Sequence, residues 1–499
     1  MKKLLMVIPL VILLCFTFSC QKGEEVAEEP VVDISADIEA CKMQRLRLTS
    51  TVTVDKEGYI GTSNSVHPQL VDSDVYVSDI EVYNGTVYIA YAQYNDGKPR
   101  IYVKKYQLSN HTLSPRYHIA DYDTTDHFSI SAAIDDDGYV HLVWGQHTNK
   151  ETYVRTKNPE DITSWMQEEL FCDSDATYQN VRTYGDVVYN LYRDGGHGHG
   201  WKLIWKSRDD SNWTQAKVIS GDVYNTKHPY ITKEAQWLFE DPEHQYFALY
   251  WTYDSALNGD GERRYQRITR YSLSTQKHYH LNGDVIRYKD GSLLPHEGPL
   301  DYYGQCGDFV SDDYQAKYPR HDLRRNKLGR LLIGVQRTGS NLVVLSSYGE
   351  NALQGYPPRG LRASVWDGVV WTHNLLRFPF SEDLGACYIQ NVRGFNNETL
   401  WLMHRKPTNK IYTDVTTDIT ILRNTDNGDS WTHEDFTDDD AIWYGFPEGV
   451  YSSKFKEYAI TWQQHTDNSA QGNNLYIGFK NVDHRQAGKY VLPSNYNTK

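Results

Sequence analysis

The feature that most constrains how this chain can fold is a unit of three strand-like segments that recurs along the sequence. The unit is clearest at residues 127–165, where an acidic turn ending at Gly138 separates the first two segments and Pro159 follows the third. Glycine supplies the positive φ that a tight hairpin turn requires, and alternating aromatic and β-branched residues favour strands. Similar units begin near His67, His127, Tyr178, His228, Tyr318, Tyr388 and Pro447.

Seven such units, spaced by roughly fifty to ninety residues, are typical of a β-propeller in which each unit forms one blade. The chain of 499 residues is long for one ordinary domain, but a propeller grows by adding blades. We therefore expect an all-β fold, a seven-bladed β-propeller that forms a single domain over residues 45–485, followed by a tail at 486–499. Residues 45–60 are strand-like, and we expect them to pair with the last blade, because closing the ring removes exposed sheet edges.

The N-terminus predicts export and attachment to a membrane surface. Residues 4–16 follow two lysines and are apolar but too few to span a bilayer stably, and Cys20 ends a lipobox-like cleavage site. We interpret residues 1–19 as a lipoprotein signal peptide, Cys20 as the lipidation site and residues 20–44 as an acidic tether. The tether resembles the export signal of outer-surface lipoproteins of Bacteroidetes-type bacteria, so we expect a lipid anchor in the outer membrane. A secreted, soluble enzyme is the alternative.

The formal charge of −14 argues against nucleic acid as a partner, because phosphate binding requires a basic field. An acidic polysaccharide stays compatible with this charge, since local clusters of cations act at short range. We expect most of the individual cations to be solvated surface charges. The candidate clusters are Arg193, Lys202, Lys206 and Arg208; Arg263 and Arg264; and Arg320, Arg324 and Arg325.

Four cysteines lie beyond the leader, and they are widely spaced: Cys41, Cys172, Cys306 and Cys387. In a fold of this size we expect free, buried thiols rather than a disulfide framework. One segment suggests a metal instead, because Cys306 and His321, with His296 and Asp308 nearby, offer the thiolate and imidazole ligands that zinc prefers. Their spacing matches no standard zinc motif, so a structural zinc ion is a second hypothesis beside plain thiols.

Two histidines give the chain its resemblance to a known family. His127 and His147 stand twenty positions apart, and the block between them contains Ala-Ile-Asp-Asp-Asp-Gly-Tyr-Val-His-Leu-Val-Trp-Gly. This block resembles the BNR-repeat polysaccharide lyases and, among these, the seven-bladed ulvan lyases. Further similar segments are Asn190–Gly196, Trp205–Arg208 and Leu249–Thr252. Residues 424–431 are similar to the Asp-box turn of sialidase-like and BNR-repeat blades, with Asn424 in place of serine.

The resemblance implies a lyase that acts on ulvan, a sulfated algal polysaccharide in which rhamnose alternates with glucuronic or iduronic acid. Such a lyase breaks the bond at O4 of the uronate by β-elimination, which requires a neutralised carboxylate, a base for the C5 proton and an acid for the leaving oxygen. By resemblance, His127 and Tyr192 are the acid/base pair, with either of them as the base. Arg208 then neutralises the carboxylate, and His147 and Tyr250 bind the uronate. The resemblance implies no cofactor for catalysis, and we expect a monomer.

Other interpretations compete with this one. His127 could cap the propeller channel, Tyr192 and Tyr250 could be core residues, and Arg208 could form a surface salt bridge with the two aspartates that follow it. The propeller and the Asp-box also suggest a sialidase-like glycoside hydrolase, although the arginine triad of such enzymes is not found at the expected blade starts. A non-catalytic surface lipoprotein that binds glycans is the third class. Formation of an unsaturated uronate separates the three.

Overall fold

The computed structural model shows strands and turns, and no helix, in every part of the chain that it describes. The described residues are 47–56, 69–95, 98–122, 128–145, 151–170, 176–194, 201–220, 227–231, 237–241, 246–255, 263–275, 277–279, 285, 308–309, 334–338, 341–348, 360–368, 371–377, 389–393, 399–404, 419–424, 431–435, 444–455, 457–465 and 473–481. The all-β prediction is confirmed for them. None of these residues forms a helix that could cross a membrane.

The strands of the N-terminal half fall into four consecutive units after a single leading strand. The leading strand is β1 (Arg47–Lys56). The first unit contains β2 (Gln69–Tyr83), β3 (Thr86–Asn95), β4 (Lys98–Gln107), β5 (Thr112–Leu113) and β6 (Tyr117–Asp121). The second contains β7 (Ser129–Ile134), β8 (Val140–Gly145), β9 (Thr152–Arg155) and β10 (Glu169–Leu170). The third contains β11 (Ala176–Tyr184), β12 (Val187–Asp194), β13 (Trp201–Ser207) and β14 (Lys217–Ser220). The fourth contains β15 (Lys227–Ile231), β16 (Trp237–Asp241), β17 (Tyr246–Ser255), β18 (Arg263–Ser272), β19 (Lys277–Tyr279) and β20 (Asp308–Phe309).

The C-terminal half continues with antiparallel groups of the same kind. One group contains β21 (Gly334–Thr338), β22 (Asn341–Tyr348), β23 (Gly360–Trp366) and β24 (Trp371–Arg377). The next contains β25 (Ile389–Arg393), β26 (Thr399–His404), β27 (Ile419–Asn424) and β28 (Trp431–Asp435). The last contains β29 (Tyr444–Ser452), β30 (Glu457–His465) and β31 (Asn473–Asn481). The Asp-box-like segment therefore spans the connection from β27 to β28.

The second and third units are each a four-stranded antiparallel sheet whose strands follow chain order. Side chains tie the first strands of the two sheets together: the Ser129 hydroxyl donates to Gln179 Oε1 over 2.7 Å, and the Ser131 hydroxyl oxygen accepts from the Val181 amide over 3.1 Å. Thr183 donates to the carbonyl of Ile134 over 2.7 Å. Strands β7 and β11 therefore run side by side in the same direction, as the innermost strands of neighbouring propeller blades do.

Burial on both faces explains why the sequences of β7 and β8 are rich in apolar residues. Every residue of β7 and of β8 is buried, because neighbouring sheets cover both faces. One face, with Ile130 and Trp144, packs on the first unit. The other face, with Ala133 and Val143, packs on Val181 and its neighbours in the third unit. Burying each large aliphatic side chain contributes about 1.5–3 kcal/mol, so contacts between sheets hold the fold together.

Strand β2 pairs with strands of both the first and the last unit. Its first half, from Gln69 to Val75, pairs with β31, and its second half, from Val75 to Tyr83, pairs with β3. The expectation that residues 45–60 pair with the last unit is therefore wrong, since β1 instead runs parallel to β24 and β28. The apolar pattern at 45–60 correctly indicated a strand but could not choose among several open edges. The seven-bladed ring itself stays a prediction.

The hairpins of the second and third units define two edges of these sheets, which we call the lower edge and the upper edge. At the lower edge lie the turns 135–138 and 185–186, which contact each other because the Asp136 amide donates to the Gly185 carbonyl over 3.1 Å. Gly138 has the positive φ of 90° that its turn was expected to require. At the upper edge, β7 and β11 begin and β8 and β12 end, with Ser129 paired to Gly145 and Ala176 paired to Asp194.

Candidate active site

The predicted histidines belong to the upper edge by chain position. His127 stands two residues before β7, and His147 stands two residues after β8. Both lie outside the described residues, so their predicted roles stay predictions. The strand ends next to them, Ser129 and Gly145, are paired and so share one edge of the second sheet.

Tyr192 lies at the upper edge, near the end of β12, and pairs with Lys202 of β13. Its side chain packs with Ala176, Ile204 and Trp213, and only 3 % of it is exposed. Trp213 also contacts Tyr153 of the second unit, with the ring planes at 88°. Tyr192 therefore sits on the face of the third sheet that packs against the second. The structure thus places Tyr192 in a packed interface, as the core-residue alternative expected, and its acid/base role stays a prediction.

Besides Lys202, its cross-strand neighbour, the cation nearest Tyr192 along the chain is Arg193, which points to the opposite face of β12. It occupies the next position on β12, is 2 % exposed, and lies with its guanidinium carbon 4.7 Å from the centre of the Tyr178 ring. Tyr178 has a positive φ of 60° at an irregularity in the pairing of β11 with β12. A bulky residue rarely adopts this conformation, and such strain concentrates at functional sites. The bulge cannot be read from the sequence, which offered Arg193 only as one of several clustered cations.

Arg208 lies at the opposite, lower edge, directly after β13. Its Nη1 atom is 2.9 Å from Asp135 Oδ2 and 2.7 Å from Asp137 Oδ2, and its guanidinium carbon lies 4.3 Å from the centre of the Tyr139 ring. Burial alone would lower the pKa of Arg208, but its bonds to Asp137 and Asp135 raise it above the ordinary value. Arg208 therefore lies at the edge opposite Tyr192, and its Nε atom is also 3.6 Å from Asp209 Oδ1, the kind of ion pair that the alternative interpretation expected. The role that the resemblance implied for Arg208, neutralising a substrate carboxylate, stays a prediction.

A buried polar chain continues inward from this ion pair. The side chain of His141 lies 3.3 Å from Asp135 Oδ2 through Nε2 and 2.8 Å from the Tyr153 hydroxyl through Nδ1. Burial lowers the pKa of His141 and raises the pKa of Tyr153. Burial would raise the pKa of Asp135 too, but its bonds to His141, Tyr139 and Arg208 hold it below the ordinary value. Asp135 and His141 are fully enclosed, so this chain anchors the lower turns.

Glu151 is a buried acid at the upper edge that the sequence gave no reason to select. It directly precedes β9 and is fully buried, and although its carboxyl group faces the Asn190 side chain, neither carboxyl oxygen makes a hydrogen bond of ordinary geometry with a residue of the described ranges. Burial raises the pKa of Glu151 well above its ordinary value. A Cβ atom added at Gly145 would lie 2.7 Å from Glu151 Cγ, so the glycine that ends β8 leaves the space that this side chain fills.

The remaining predicted residues belong to the fourth unit. Tyr250 lies in β17 and pairs with Ile268, which on its other side pairs with Asp308 of β20; the Tyr250 side chain is outside the described residues. Cys306, His321 and His296 also lie outside them. Among the residues that are described, no group of three or more histidine, cysteine or acidic side chains could hold a metal ion. The zinc hypothesis stays a prediction, as do the roles of Cys20 and the tether, which fall in the undescribed N-terminal part.

The chain is similar in repeat and fold to known proteins. Residues 86–286, from β3 to just past β19, match the family model described as "BNR repeat-containing family member". An ulvan lyase solved with a bound glucuronic acid (1-4)-rhamnose 3-sulfate oligosaccharide is similar over 83 % of this chain and 96 % of its own, with a TM-score of 0.57 at 11 % identity. The polysaccharide lyase Uly1 is similar over 88 % of this chain and 98 % of its own, with a TM-score of 0.52 at 10 % identity.

The chain shares their fold. The resemblance to BNR-repeat and ulvan-lyase proteins that the histidine block predicted is thereby confirmed for the fold and for the repeat. Among curated proteins, none matches the chain.

Proposed function

We propose that the protein is a polysaccharide lyase that cleaves ulvan, a sulfated polymer of rhamnose and uronic acid, by β-elimination. The observation that carries the proposal is the upper edge of the second and third units. There Tyr192 and Arg193 lie together at the end of β12, on a fold shared with an ulvan lyase whose bound oligosaccharide contains glucuronic acid. His127 and His147 adjoin the same edge by chain position.

The chemistry assigns one task to each group. The uronate carboxylate must be neutralised before its C5 proton becomes acidic enough to leave, and a fixed guanidinium serves this purpose because it keeps its charge and donates two parallel hydrogen bonds. We assign this task to Arg193 in place of Arg208, since Arg193 lies at the same edge as Tyr192 and Arg208 lies at the opposite edge.

Proton transfer completes the reaction. One of His127 and Tyr192 takes the C5 proton, the C4–O4 bond breaks as the C4–C5 double bond forms, and the other group gives its proton to O4. The products are an unsaturated uronate and a new hydroxyl end, and no water is consumed. His147 and Tyr250 hold the uronate ring, and no cofactor takes part.

The proposal places this chemistry on a seven-bladed propeller at the cell surface. A lipid on Cys20 would anchor the protein in the outer membrane, with the acidic tether holding the propeller away from the bilayer. Replacing Cys20 by serine should release the protein from the membrane fraction, because the acyl chains supply the anchoring energy. Persistent sedimentation of Cys20→Ser with membranes would contradict the anchor.

A second candidate, a glycan-binding surface protein without activity, is favoured by one observation. Tyr192 is 3 % exposed, which is less than a group that must meet substrate usually shows. One assay separates the two candidates. The purified protein is incubated with ulvan and with other uronic-acid polysaccharides, and the ultraviolet absorbance of the unsaturated uronate is followed. Absorbance that grows with time supports the lyase; binding without it supports the second candidate, and saturated sugar products would indicate hydrolysis.

A further inference from the structure

Glu151 and Asn190 are two fully buried polar side chains that face each other across the boundary between the second and third units. Neither carboxyl oxygen of Glu151, nor either polar atom of the Asn190 amide, makes a hydrogen bond of ordinary geometry with the described residues. Buried polar groups in native proteins nearly always have such partners, so each exception calls for an explanation. A carboxyl group in this setting is held in its neutral form, because burying an unpaired charge is far more costly.

The two residues sit next to the proposed site. Asn190 and Tyr192 alternate along β12 and thus share one face, the face that packs against the second unit. Glu151 stands where the chain re-enters the second sheet at β9, with its Cγ against Gly145 at the end of β8. Glu151 therefore lies against the end of β8 in its own unit and faces Asn190 on the strand that carries Tyr192.

Stability does not account for this pair. An apolar pair of similar shape would fill the same space without leaving polar atoms unsatisfied, and such replacements are usually neutral or stabilising. A poorly satisfied polar pair in a packed interface is a cost that proteins accept at functional sites.

We propose that Glu151 and Asn190 are a positioning pair, which fixes Tyr192 for catalysis. The inference rests on the proposed elimination and deepens it. Because both side chains are enclosed, they do not touch the substrate. They act through Tyr192, whose hydroxyl must be placed to within a fraction of an ångström to transfer a proton well.

The test compares two replacements of the same side chain with a matched control in the same unit. Glu151→Leu keeps the volume and removes the polar group, whereas Glu151→Gln keeps a neutral polar group of the same shape. Glu168→Gln changes an exposed acid in the second unit and should alter nothing. For each protein, kcat and KM on ulvan are measured by the absorbance of the unsaturated product, and Tm is measured by thermal unfolding.

We expect Glu151→Leu to lower kcat about tenfold or more, with KM nearly unchanged and Tm equal to or above that of the natural protein. Glu151→Gln should keep kcat within about threefold. Because the pair acts as a unit, the double variant Glu151→Leu/Asn190→Leu should lose no more kcat than the worse of its single variants.

Three results would overturn the inference. If Glu151→Leu keeps its full kcat, the pair has no part in catalysis. If its kcat and Tm fall together, the pair is structural. If Glu151→Gln loses kcat by about a hundredfold, the carboxyl group itself reacts. Failure of the proposed function is a separate result, because it would appear as a natural protein that forms no unsaturated product at all.

Discussion

The upper and lower edges of the second and third units differ in how many hydrogen-bond partners their buried acid has. At the lower edge, the carboxylate of Asp135 is buried but has four hydrogen-bond partners, one of which is the guanidinium of Arg208. At the upper edge, Glu151 is buried to the same degree, but it faces only the Asn190 amide and makes no hydrogen bond of ordinary geometry with the described residues. The lower edge therefore gains stability from its buried acid. The upper edge bears the cost of its own buried acid beside Tyr192, and this contrast indicates where function resides.

The largest effect should follow from removing the Tyr192 hydroxyl. In Tyr192→Phe we expect kcat on ulvan to fall by about 100-fold or more with little change in KM or Tm, because proton transfer is a transition-state contribution. Tyr189→Phe is the matched control, since Tyr189 lies on the same strand and is equally buried, with a pKa that burial raises to about 12. Near-normal turnover in Tyr192→Phe would show that Tyr192 is a core residue.

The two arginines should separate stability from activity. Replacing Arg208 by methionine leaves Asp135 buried without its cation, so the free energy of unfolding should fall by about 3 kcal/mol while kcat of the folded protein is kept. Arg193→Met should instead lower kcat and raise KM, since the proposed carboxylate partner is lost. Denaturant unfolding and steady-state kinetics of both arginine variants check these two predictions. Loss of catalysis in the Arg208 variant alone would reverse the assignment.

The two edges should also respond to pH in opposite directions. Burial lowers the pKa of His141, so its contribution to stability is complete above about pH 6.5 and is lost as the pH falls below that value. Burial raises the pKa of Glu151, so its contribution is complete below about pH 4.3 and is lost as the pH rises above that value.

Denaturant unfolding at several pH values measures this response. The stability gained by Glu151→Gln over the natural protein should grow above about pH 4.3, by at most about 1.4 kcal/mol per pH unit. His141→Gln should gain relative stability as the pH falls below about 6.5. A pH-independent difference for Glu151→Gln would mean that Glu151 is ionised in the folded protein.

The smallest effect concerns the contact between Gly145 and Glu151. An alanine at Gly145 would press on Glu151 Cγ and should cost about 1–3 kcal/mol of stability by overpacking. In a Glu151→Ala background the same change should cost clearly less, because the crowded atom is gone. Equal costs in both backgrounds, measured by denaturant unfolding, would rule out this contact as the cause.

The sequence predicted the local features of the fold well because they depend on neighbours in the chain. The turn at Gly138 and the paired ends of β7 and β8 follow from residues within one hairpin. Features set by distant residues could not be predicted this way. Arg208 meets Asp135 and Asp137 across more than seventy positions, and its sequence neighbours suggested only a surface pair or a catalytic cation.

The sequence also could not show which polar side chains are buried by contacts between sheets. Glu151 looks like an ordinary acidic residue in a polar connection, since only the packing of the third unit against the second encloses it. The bulge at Tyr178 likewise depends on how β11 meets β12 rather than on a turn residue such as glycine. The candidate site is therefore the part of the molecule where local pattern and final structure agree least, as strained functional sites commonly are.

The pairing of β31 with β2 affects how fast the amide hydrogens of β31 exchange with solvent. Terminal segments commonly open by themselves, and their amide hydrogens exchange quickly with solvent. Here β31 is paired on one side with β30 and on the other with Gln69–Val75, and its Leu475 and Ile477 share a buried cluster with Ile80 of the first unit. The amides of β31 that bond to Gln69–Val75 can then exchange only when the first unit opens as well. These amides of the last described strand should therefore exchange more slowly than those of terminal segments usually do.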